Sequence, residues 1–266
     1  MFYPSIEGIP CSRIPARPRV RAGGPTTRTE AEIALHIEEL DATDTPIGVI
    51  SLRRRYEPVV GDDVYEVKID DAFLMSSLFT VVEQELAHLG LALIGHTGGD
   101  LHVLVGGLGL GYTLRAALQD ERVGQVQVIE AVEAVIDWHR CDLLPDTAGL
   151  AADPRCDLVH GDFFALVAAS ETPRPLYDVV LLDVDHSPQN LLHPSHGAFY
   201  TADGLARLAA ILAPAGVFGL WSDDPPDPDF EAVLDEVFAQ STTHVVSFAN
   251  PLTRGESAST VYVANI

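Results

Sequence analysis

Short apolar runs alternate with stretches of helical spacing along the second half of this chain. The apolar runs predict strands near residues 101–106, 125–130, 156–160, 177–183 and 216–221, with helices between them. A repeated strand–helix order of this kind is typical of a parallel, doubly wound sheet. We therefore predict an α/β fold for this part of the chain.

The C-terminal pattern differs, because two apolar segments follow one another without a helix. These segments, residues 244–248 and 260–263, flank a connection that contains Pro251 and Gly255. We predict that they form an antiparallel pair at the edge of the sheet, which then has seven strands and is mostly parallel.

The N-terminal part divides into two regions. Residues 1–30 are rich in Pro, Arg and Gly and show little periodicity, which predicts an extended or disordered arm. Residues 31–75 alternate between apolar and polar positions and predict a small β-region that includes a hairpin. We expect Ser76 or Ser77 to cap the first helix of a main domain that spans residues 76–266.

Composition narrows the class of protein and its partners. The 266 residues include 39 acidic and 16 basic side chains, for a formal charge of −23. Such a surface repels nucleic acids and anionic membranes, so we expect neither as a partner. No apolar run approaches the roughly 20 residues of a membrane span. The three scattered cysteines and the lack of a signal-peptide pattern favour a cytoplasmic protein without a disulfide framework.

A glycine-rich turn joins the first parallel strand to the helix that follows it. Gly107, Gly109 and Gly111 lie in this turn, and Glu130 ends the next predicted strand about 20 residues later. Glycines allow a backbone to approach a nucleotide closely, and a carboxylate at this distance can accept hydrogen bonds from ribose hydroxyls. The third glycine comes one residue earlier than in the NAD fingerprint. The pattern indicates an adenosine-type ligand; the alternative is an ordinary strand–helix turn.

Acidic residues also follow the third and fourth predicted strands. Asp162 can accept a hydrogen bond from an adenine amino group, or it can cap the next helix. Asp183 and Asp185 follow a strand that should be buried, and a desolvated carboxylate there can attract a cation and accept a proton. The alternative for both is a loop carboxylate that binds nearby backbone amides.

Other polar residues bear on the chemistry. His186 shares the loop with Asp183 and is a candidate general base, because the pKa of histidine suits that task. Asp223 and Asp224 follow the fifth strand and suit a cationic substrate, although a solvated loop is the interpretation that we favour. We predict no metal site, because two His/Cys groupings match no standard ligand spacing: His186, His193 and His196, and His139, Cys141, Cys156 and His160.

These motifs together resemble the spermidine synthase, or polyamine aminopropyltransferase, family. The resemblance runs from about residue 64 to the C-terminus and rests on the glycine turn with Thr113-Leu114-Arg115, Ile129-Glu130, Gly161-Asp162, residues 177–183, Phe199-Tyr200 and residues 212–217. It implies the fold of S-adenosylmethionine (SAM)-dependent transferases, with SAM or decarboxylated SAM as co-substrate and a small-molecule amine as acceptor. Glu130 would bind ribose, Asp162 adenine, and Asp183 would activate the amine. A homodimer is a further expectation.

The sequence departs from this family in the half of the site that handles amines. The family's glycine loop usually contains an Asp that holds the donor's amine, whereas residues 106–111 contain no acid. The family's Gln and Tyr-His elements should fall near residues 71–88, where Val82-Glu83-Gln84-Glu85 gives no match. Two alternatives therefore stay open: a SAM-dependent methyltransferase of a small molecule, and a non-catalytic nucleoside-binding protein.

Overall fold

The computed structural model describes residues 37–95, 100–169 and 176–266. The predicted arm over residues 1–30 lies outside these ranges. The first sheet is antiparallel, with strands in the order β1-β2-β3-β4. Its strands are β1 (Ile37–Thr45), β2 (Gly48–Glu57), β3 (Asp62–Ile69) and β4 (Ala72–Ser76). This sheet confirms the predicted small β-region, and β4 is a strand that the sequence pattern did not predict.

The second sheet has seven strands in the order β10-β11-β9-β8-β5-β6-β7. They are β5 (Leu101–Gly106), β6 (Val123–Glu130), β7 (Cys156–His160), β8 (Tyr177–Leu182), β9 (Leu212–Ser222), β10 (Gln240–Asn250) and β11 (Gly255–Asn265). Neighbouring strands pair in parallel across the run β9-β8-β5-β6-β7. Strand β11 pairs antiparallel with both β9 and β10. The predicted mostly parallel, doubly wound α/β fold is therefore confirmed.

Helices cover both faces of the seven-stranded sheet and form two hydrophobic cores. The helices are α1 (Val81–Leu93), α2 (Tyr112–Gln119), α3 (Glu133–Arg140), α4 (Phe163–Ala168), α5 (Ala202–Ala209) and α6 (Pro228–Val237). Buried residues of α1, α2 and α3 share one core with β2 and β3 of the first sheet. Helices α4, α5 and α6 pack on the other core. Trp138 of α3 also donates from Nε1 to Asp41 of β1 over 2.7 Å, so the small sheet is held against the helices of one face.

The first helix begins later than the sequence predicts. Helix α1 starts at Val81 with Thr80 as its N-cap residue, whereas Ser76 ends β4 and Ser77 accepts a hydrogen bond from the Tyr65 amide. The prediction that Ser76 or Ser77 caps this helix is wrong, because their hydroxyls serve the edge of the small sheet and the turn after it.

Two other expectations concern cysteines and membranes. Cys156 of β7 is a free cysteine. Across the described ranges, every helix is too short or too polar to cross a bilayer.

Candidate active site

The glycine turn and Asp183 meet where the strand order reverses. Strand β5 lies between β6 and β8, and ligands of doubly wound folds bind at such a switch point, beyond the carboxyl ends of the strands. The Asp183 amide donates to the Gly106 carbonyl over 2.8 Å. Gly107 has φ +89°, and a Cβ at this position would overlap the Asp183 carbonyl oxygen. Glycine is therefore required here by both backbone conformation and close packing.

Glu130 holds the glycine turn in place. Its carboxylate accepts hydrogen bonds from the Leu108 amide at 2.9 Å and from the Val132 amide at 2.8 Å. The side chain is buried, and this burial raises the pKa of Glu130, although the surrounding backbone N–H groups favour the charged form. Glu130 thus fixes the path of the turn that Gly107, Gly109 and Gly111 form, all three with positive φ.

Asp162 lies at the start of α4, and its side chain caps that helix. Oδ1 accepts hydrogen bonds from the Phe164 and Ala165 amides at 2.8 and 3.1 Å. The residue is exposed beside the end of β7. The capping interpretation is therefore correct, and both of these bonds use the same carboxylate oxygen.

A cavity of about 540 Å³ borders the glycine turn, and its described lining includes neither Glu130 nor Asp162. Its walls come from β4, the first turn of α1, the glycine turn, the ends of β8 and β9, and the β10–β11 hairpin. One part of the wall is apolar and includes Leu74, Met75, Phe79, Leu108, Trp221 and Phe248. Three carboxyl groups also line it, those of Glu83, Asp183 and Asp223. Among the described residues that line this cavity, none is Lys or Arg.

The cavity environment disfavours ionisation of two of these carboxyl groups. Burial raises the pKa of Asp183 to about 6, and the charge of Glu130 adds to this effect, while a hydrogen bond from Thr113 Oγ1 at 2.8 Å opposes it. Burial also raises the pKa of Glu83 to about 8, and the charges of Asp183 and Asp223 contribute. Carboxyl groups with raised pKa values are suited to accepting protons near neutral pH.

The structure separates the predicted catalytic residues. Asp183 and His186 line the cavity, and the His186 carbonyl accepts a hydrogen bond from the Asp223 amide at 2.7 Å. Asp185 is 1% exposed and does not line the cavity. Its carboxylate instead accepts hydrogen bonds at 2.7 to 2.8 Å from the Leu192 amide, His196 Nδ1 and the Tyr200 hydroxyl. This placement suits Asp185 to holding the loop after β8.

The predicted absence of a metal site remains a prediction. In residues 37–95, 100–169 and 176–266, no three His, Cys, Asp or Glu side chains are grouped so that they could hold a metal ion. His139 is buried, and this lowers its pKa, so its neutral ring donates from Nε2 to the Gly109 carbonyl over 3.0 Å. His139 thus supports the glycine turn from α3.

Comparison with known proteins identifies the family. A sequence model of the spermine/spermidine synthase domain matches residues 80–241. This match covers more than half of the chain, and the chain belongs to the spermine/spermidine synthase family. The predicted resemblance is thereby confirmed, and neither a methyltransferase nor a non-catalytic nucleoside-binding protein is favoured.

Individual relatives agree with this assignment. The chain is 31% identical over 159 residues to polyamine aminopropyltransferase 2 of Pseudomonas aeruginosa, and 31% identical over 145 residues to the polyamine aminopropyltransferase of Bacillus subtilis. These alignments cover 56% and 54% of this chain but 42% and 48% of the relatives, so the chain matches less than half of each relative's length.

Solved structures show the same fold. The crystal structure of spermidine synthase from Thermotoga maritima matches with a TM-score of 0.64 at 20% identity, over 85% of this chain and 72% of that one. A spermidine synthase in complex with the transition-state analogue AdoDATO matches with a TM-score of 0.63, also at 20% identity. This match likewise covers 85% of this chain and 72% of the other chain.

Proposed function

We propose that this protein transfers an aminopropyl group from decarboxylated SAM to a small-molecule amine. The observation that carries the proposal is the position of Asp183, a carboxyl of raised pKa that borders an acidic cavity beside the glycine turn. The polyamine aminopropyltransferases that the chain resembles support the same assignment.

The nucleoside half of the donor is assigned to the ends of β5, β6 and β7. We assign Glu130 to the ribose hydroxyls. Its carboxylate already accepts hydrogen bonds from the Leu108 and Val132 amides, and the Gly109 and Ala131 amides also favour its charged form, so a ribose would share its roughly four lone-pair positions with these backbone donors. Asp162 caps α4 through Oδ1, so Oδ2 is assigned to the adenine amino group.

Charge in the cavity favours decarboxylated SAM over intact SAM as donor. The tail of intact SAM carries a carboxylate, which Asp183 and Asp223 would repel in a cavity whose described lining contains no Lys or Arg. The tail of decarboxylated SAM carries only an ammonium group, which the same carboxylates attract. This argument also favours a linear diamine as acceptor, with its reacting nitrogen at Asp183 and its distant ammonium group at Asp223.

Rate acceleration would come mainly from positioning. Holding the acceptor nitrogen in line with the sulfonium carbon is worth up to about 7–11 kcal/mol in model systems. Asp183 contributes by removing the proton that keeps the acceptor amine unreactive, since an alkylamine has a pKa of about 10.4 in water.

The first experiment is calorimetric titration of the purified protein with decarboxylated SAM, SAM and methylthioadenosine. We expect decarboxylated SAM to bind at least about tenfold more tightly than SAM, which corresponds to about 1.4 kcal/mol of discrimination. Product analysis with decarboxylated SAM and 1,4-diaminobutane then tests transfer directly. Tighter binding of SAM, or binding of none of the three compounds, would contradict the proposal.

A further inference from the structure

The cavity beside the glycine turn continues across the sheet, from the end of β8 to the β10–β11 hairpin. The strands β9, β11 and β10 are neighbours in the sheet, and residues two apart on a strand share a face. Each of these strands contributes such a pair to the cavity: Trp221 and Asp223, Ser257 and Ser259, and Phe248 and Asn250. These six side chains form one continuous surface, which we call the cavity floor.

The strand register gives the length of the floor. Phe248 pairs with Ser257 on β11, and Ser259 of the same strand donates from its hydroxyl to Asp223 over 3.3 Å. Asp223 and Phe248 are therefore separated by two strand spacings and one two-residue step, or about 12 Å between Cα atoms. The pairing of β8 with β9 puts Asp183 one strand spacing and one two-residue step from Asp223, or about 8 Å.

A four-carbon diamine covers only the first part of this floor. Five bonds of about 1.5 Å join the two nitrogens of 1,4-diaminobutane, so its extended length is about 6–7 Å. This length suits the interval between Asp183 and Asp223, to which the proposed function assigns its two nitrogens. The nucleoside of the donor is assigned to Glu130 and Asp162, which do not line the cavity. Neither compound therefore fills the floor beyond Asp223.

The floor beyond Asp223 is aromatic and uncharged. The Phe248 ring packs against Phe79, which also lines the cavity, with ring centroids 5.8 Å apart. Asn250 and Ser257 add an amide and a hydroxyl, which are joined by a hydrogen bond of 2.9 Å.

The acids of the cavity all lie away from this aromatic part. Among the described lining residues, the only acids are Glu83, Asp183 and Asp223, and none of them belongs to β10 or β11. A ligand group with a positive charge would find no partner beside Phe248. An aromatic group would instead bury apolar surface there.

We propose that the acceptor is a diamine that carries an aryl group on its second nitrogen. The primary amine reacts at Asp183, Asp223 holds the secondary ammonium group, and the aryl group lies against Phe79 and Phe248. This inference rests on the proposed function and specifies its acceptor.

The transfer step itself is unchanged and balances as follows. The primary ammonium group gives one proton to Asp183, and the neutral nitrogen forms a bond to the aminopropyl carbon. The bond between that carbon and the sulfonium sulfur breaks, and its electron pair goes to sulfur. The products are a secondary ammonium ion and neutral methylthioadenosine, and Asp183 releases its proton to water.

Calorimetric titration of the full chain tests the aryl site without turnover. The probes are 1,4-diaminobutane, its N-benzyl derivative and its N-(3-aminopropyl) derivative, whose tail ends in an ammonium group. Titrations at about 0.15 M salt limit the contribution of charges more than about 8 Å away. We expect the N-benzyl compound to bind about 10- to 100-fold more tightly than the parent, the usual effect of burying a phenyl group. Equal or weaker binding than the parent, or weaker binding than the N-(3-aminopropyl) compound, would overturn the proposal.

Two variants locate the aryl group. In Phe248→Ala and in Phe79→Ala, we expect the ratio of affinities for the N-benzyl compound and the parent to fall at least about fivefold. Val245→Ala is the matched control, because Val245 lies on the opposite face of β10, is 59% exposed and does not line the cavity. Thermal melts check folding; Phe248 also packs on the core of α1, α2 and α3, so Phe79→Ala keeps the test available if Phe248→Ala unfolds. Wild-type ratios in the folded phenylalanine variants would contradict the proposal.

A third variant tests the lack of a counter-charge on β10. Asn250 accepts hydrogen bonds from the Leu252 and Thr253 amides through Oδ1, and Asp can keep both. We expect Asn250→Asp to bind the N-(3-aminopropyl) compound at least about threefold more tightly than the wild type does, because the new carboxylate faces its terminal ammonium group. Unchanged binding would show that a ligand tail does not reach this part of the floor.

Turnover separates this inference from the proposed function. With decarboxylated SAM as donor, a kcat/KM for 1,4-diaminobutane equal to or above that for the N-benzyl compound would overturn the inference and leave aminopropyl transfer intact. No transfer to any of the three amines would overturn the proposed function and the acceptor role together. The calorimetric ratios would still decide whether the cavity floor binds an aryl group.

Discussion

Replacing Asp183 by Asn should stabilise the protein while removing its activity. The pKa of Asp183 rises from 3.8 to about 6 on folding, chiefly through burial, and one pKa unit corresponds to 1.36 kcal/mol. Ionised Asp183 therefore opposes folding by up to about 3 kcal/mol at neutral pH. The side chain keeps some contact with solvent, so we expect Asn to gain about 1–3 kcal/mol. Its Oδ1 can still accept the hydrogen bond from Thr113.

The pH dependence of this gain has a definite sign. A carboxyl whose pKa is raised in the folded state contributes no penalty when it is protonated in both states, below about pH 4. As the pH rises toward 6, the unfolded chain loses its proton first, and the stability of the wild type falls relative to the variant. The free energy of unfolding of the variant should exceed that of the wild type by almost nothing at pH 4 and by the full amount at pH 7. Thermal melts at both pH values should show a Tm increase of about 3–9 °C at pH 7 only.

Asp185→Asn is the matched control. Asp185 is also a buried carboxyl after β8, but three donors satisfy it. In the variant, the NH₂ group of the Asn side chain would face at least one of these donors. We expect this variant to lose about 1–3 kcal/mol. A lower Tm for Asp183→Asn, or a gain that does not change with pH, would refute the argument that desolvation dominates at Asp183.

Three further substitutions probe the framework around the site. Gly107→Ala should destabilise the fold by more than about 2 kcal/mol in urea denaturation, because of its positive φ and the overlap with the Asp183 carbonyl. Trp138→Phe should cost about 2–3 kcal/mol by the same measurement, since it removes the bond to Asp41 and leaves a void in a fully buried position. Asp162→Ala should cost about 1 kcal/mol through loss of the α4 cap, and calorimetry should show weaker binding of methylthioadenosine; unchanged binding would remove Asp162 from the adenine site.

The fold of the parallel sheet could be predicted because its signals are local. Each strand from β5 to β8 is a short apolar run, and glycines or acids mark its carboxyl end. Because these ends meet at one edge of the sheet, the placement of Gly107 and Asp183 beside each other follows from the topology alone. Strand β4 was missed because its five residues show no clear alternation, and pairing with β3 defines it.

The roles of individual side chains depended on contacts that sequence spacing does not encode. Asp183 and Asp185 are two residues apart and follow the same strand, yet one borders the cavity and the other is enclosed by its own loop. The difference comes from Tyr200 and His196, which lie 11 to 15 residues further along and satisfy Asp185. A pattern of two acids after a buried strand therefore indicates a functional region but not which acid faces the substrate.

Glu83 illustrates why a search by motif can miss a carboxyl that lines the cavity. A cation is attracted by the summed field of nearby charges, and this field can arise from any wall of the cavity. In this chain the glycine turn contributes Leu108 to the apolar wall, while a carboxyl reaches the cavity from α1. A search for an acid within the turn therefore misses this carboxyl, because the fold and not the local sequence brings it to the cavity.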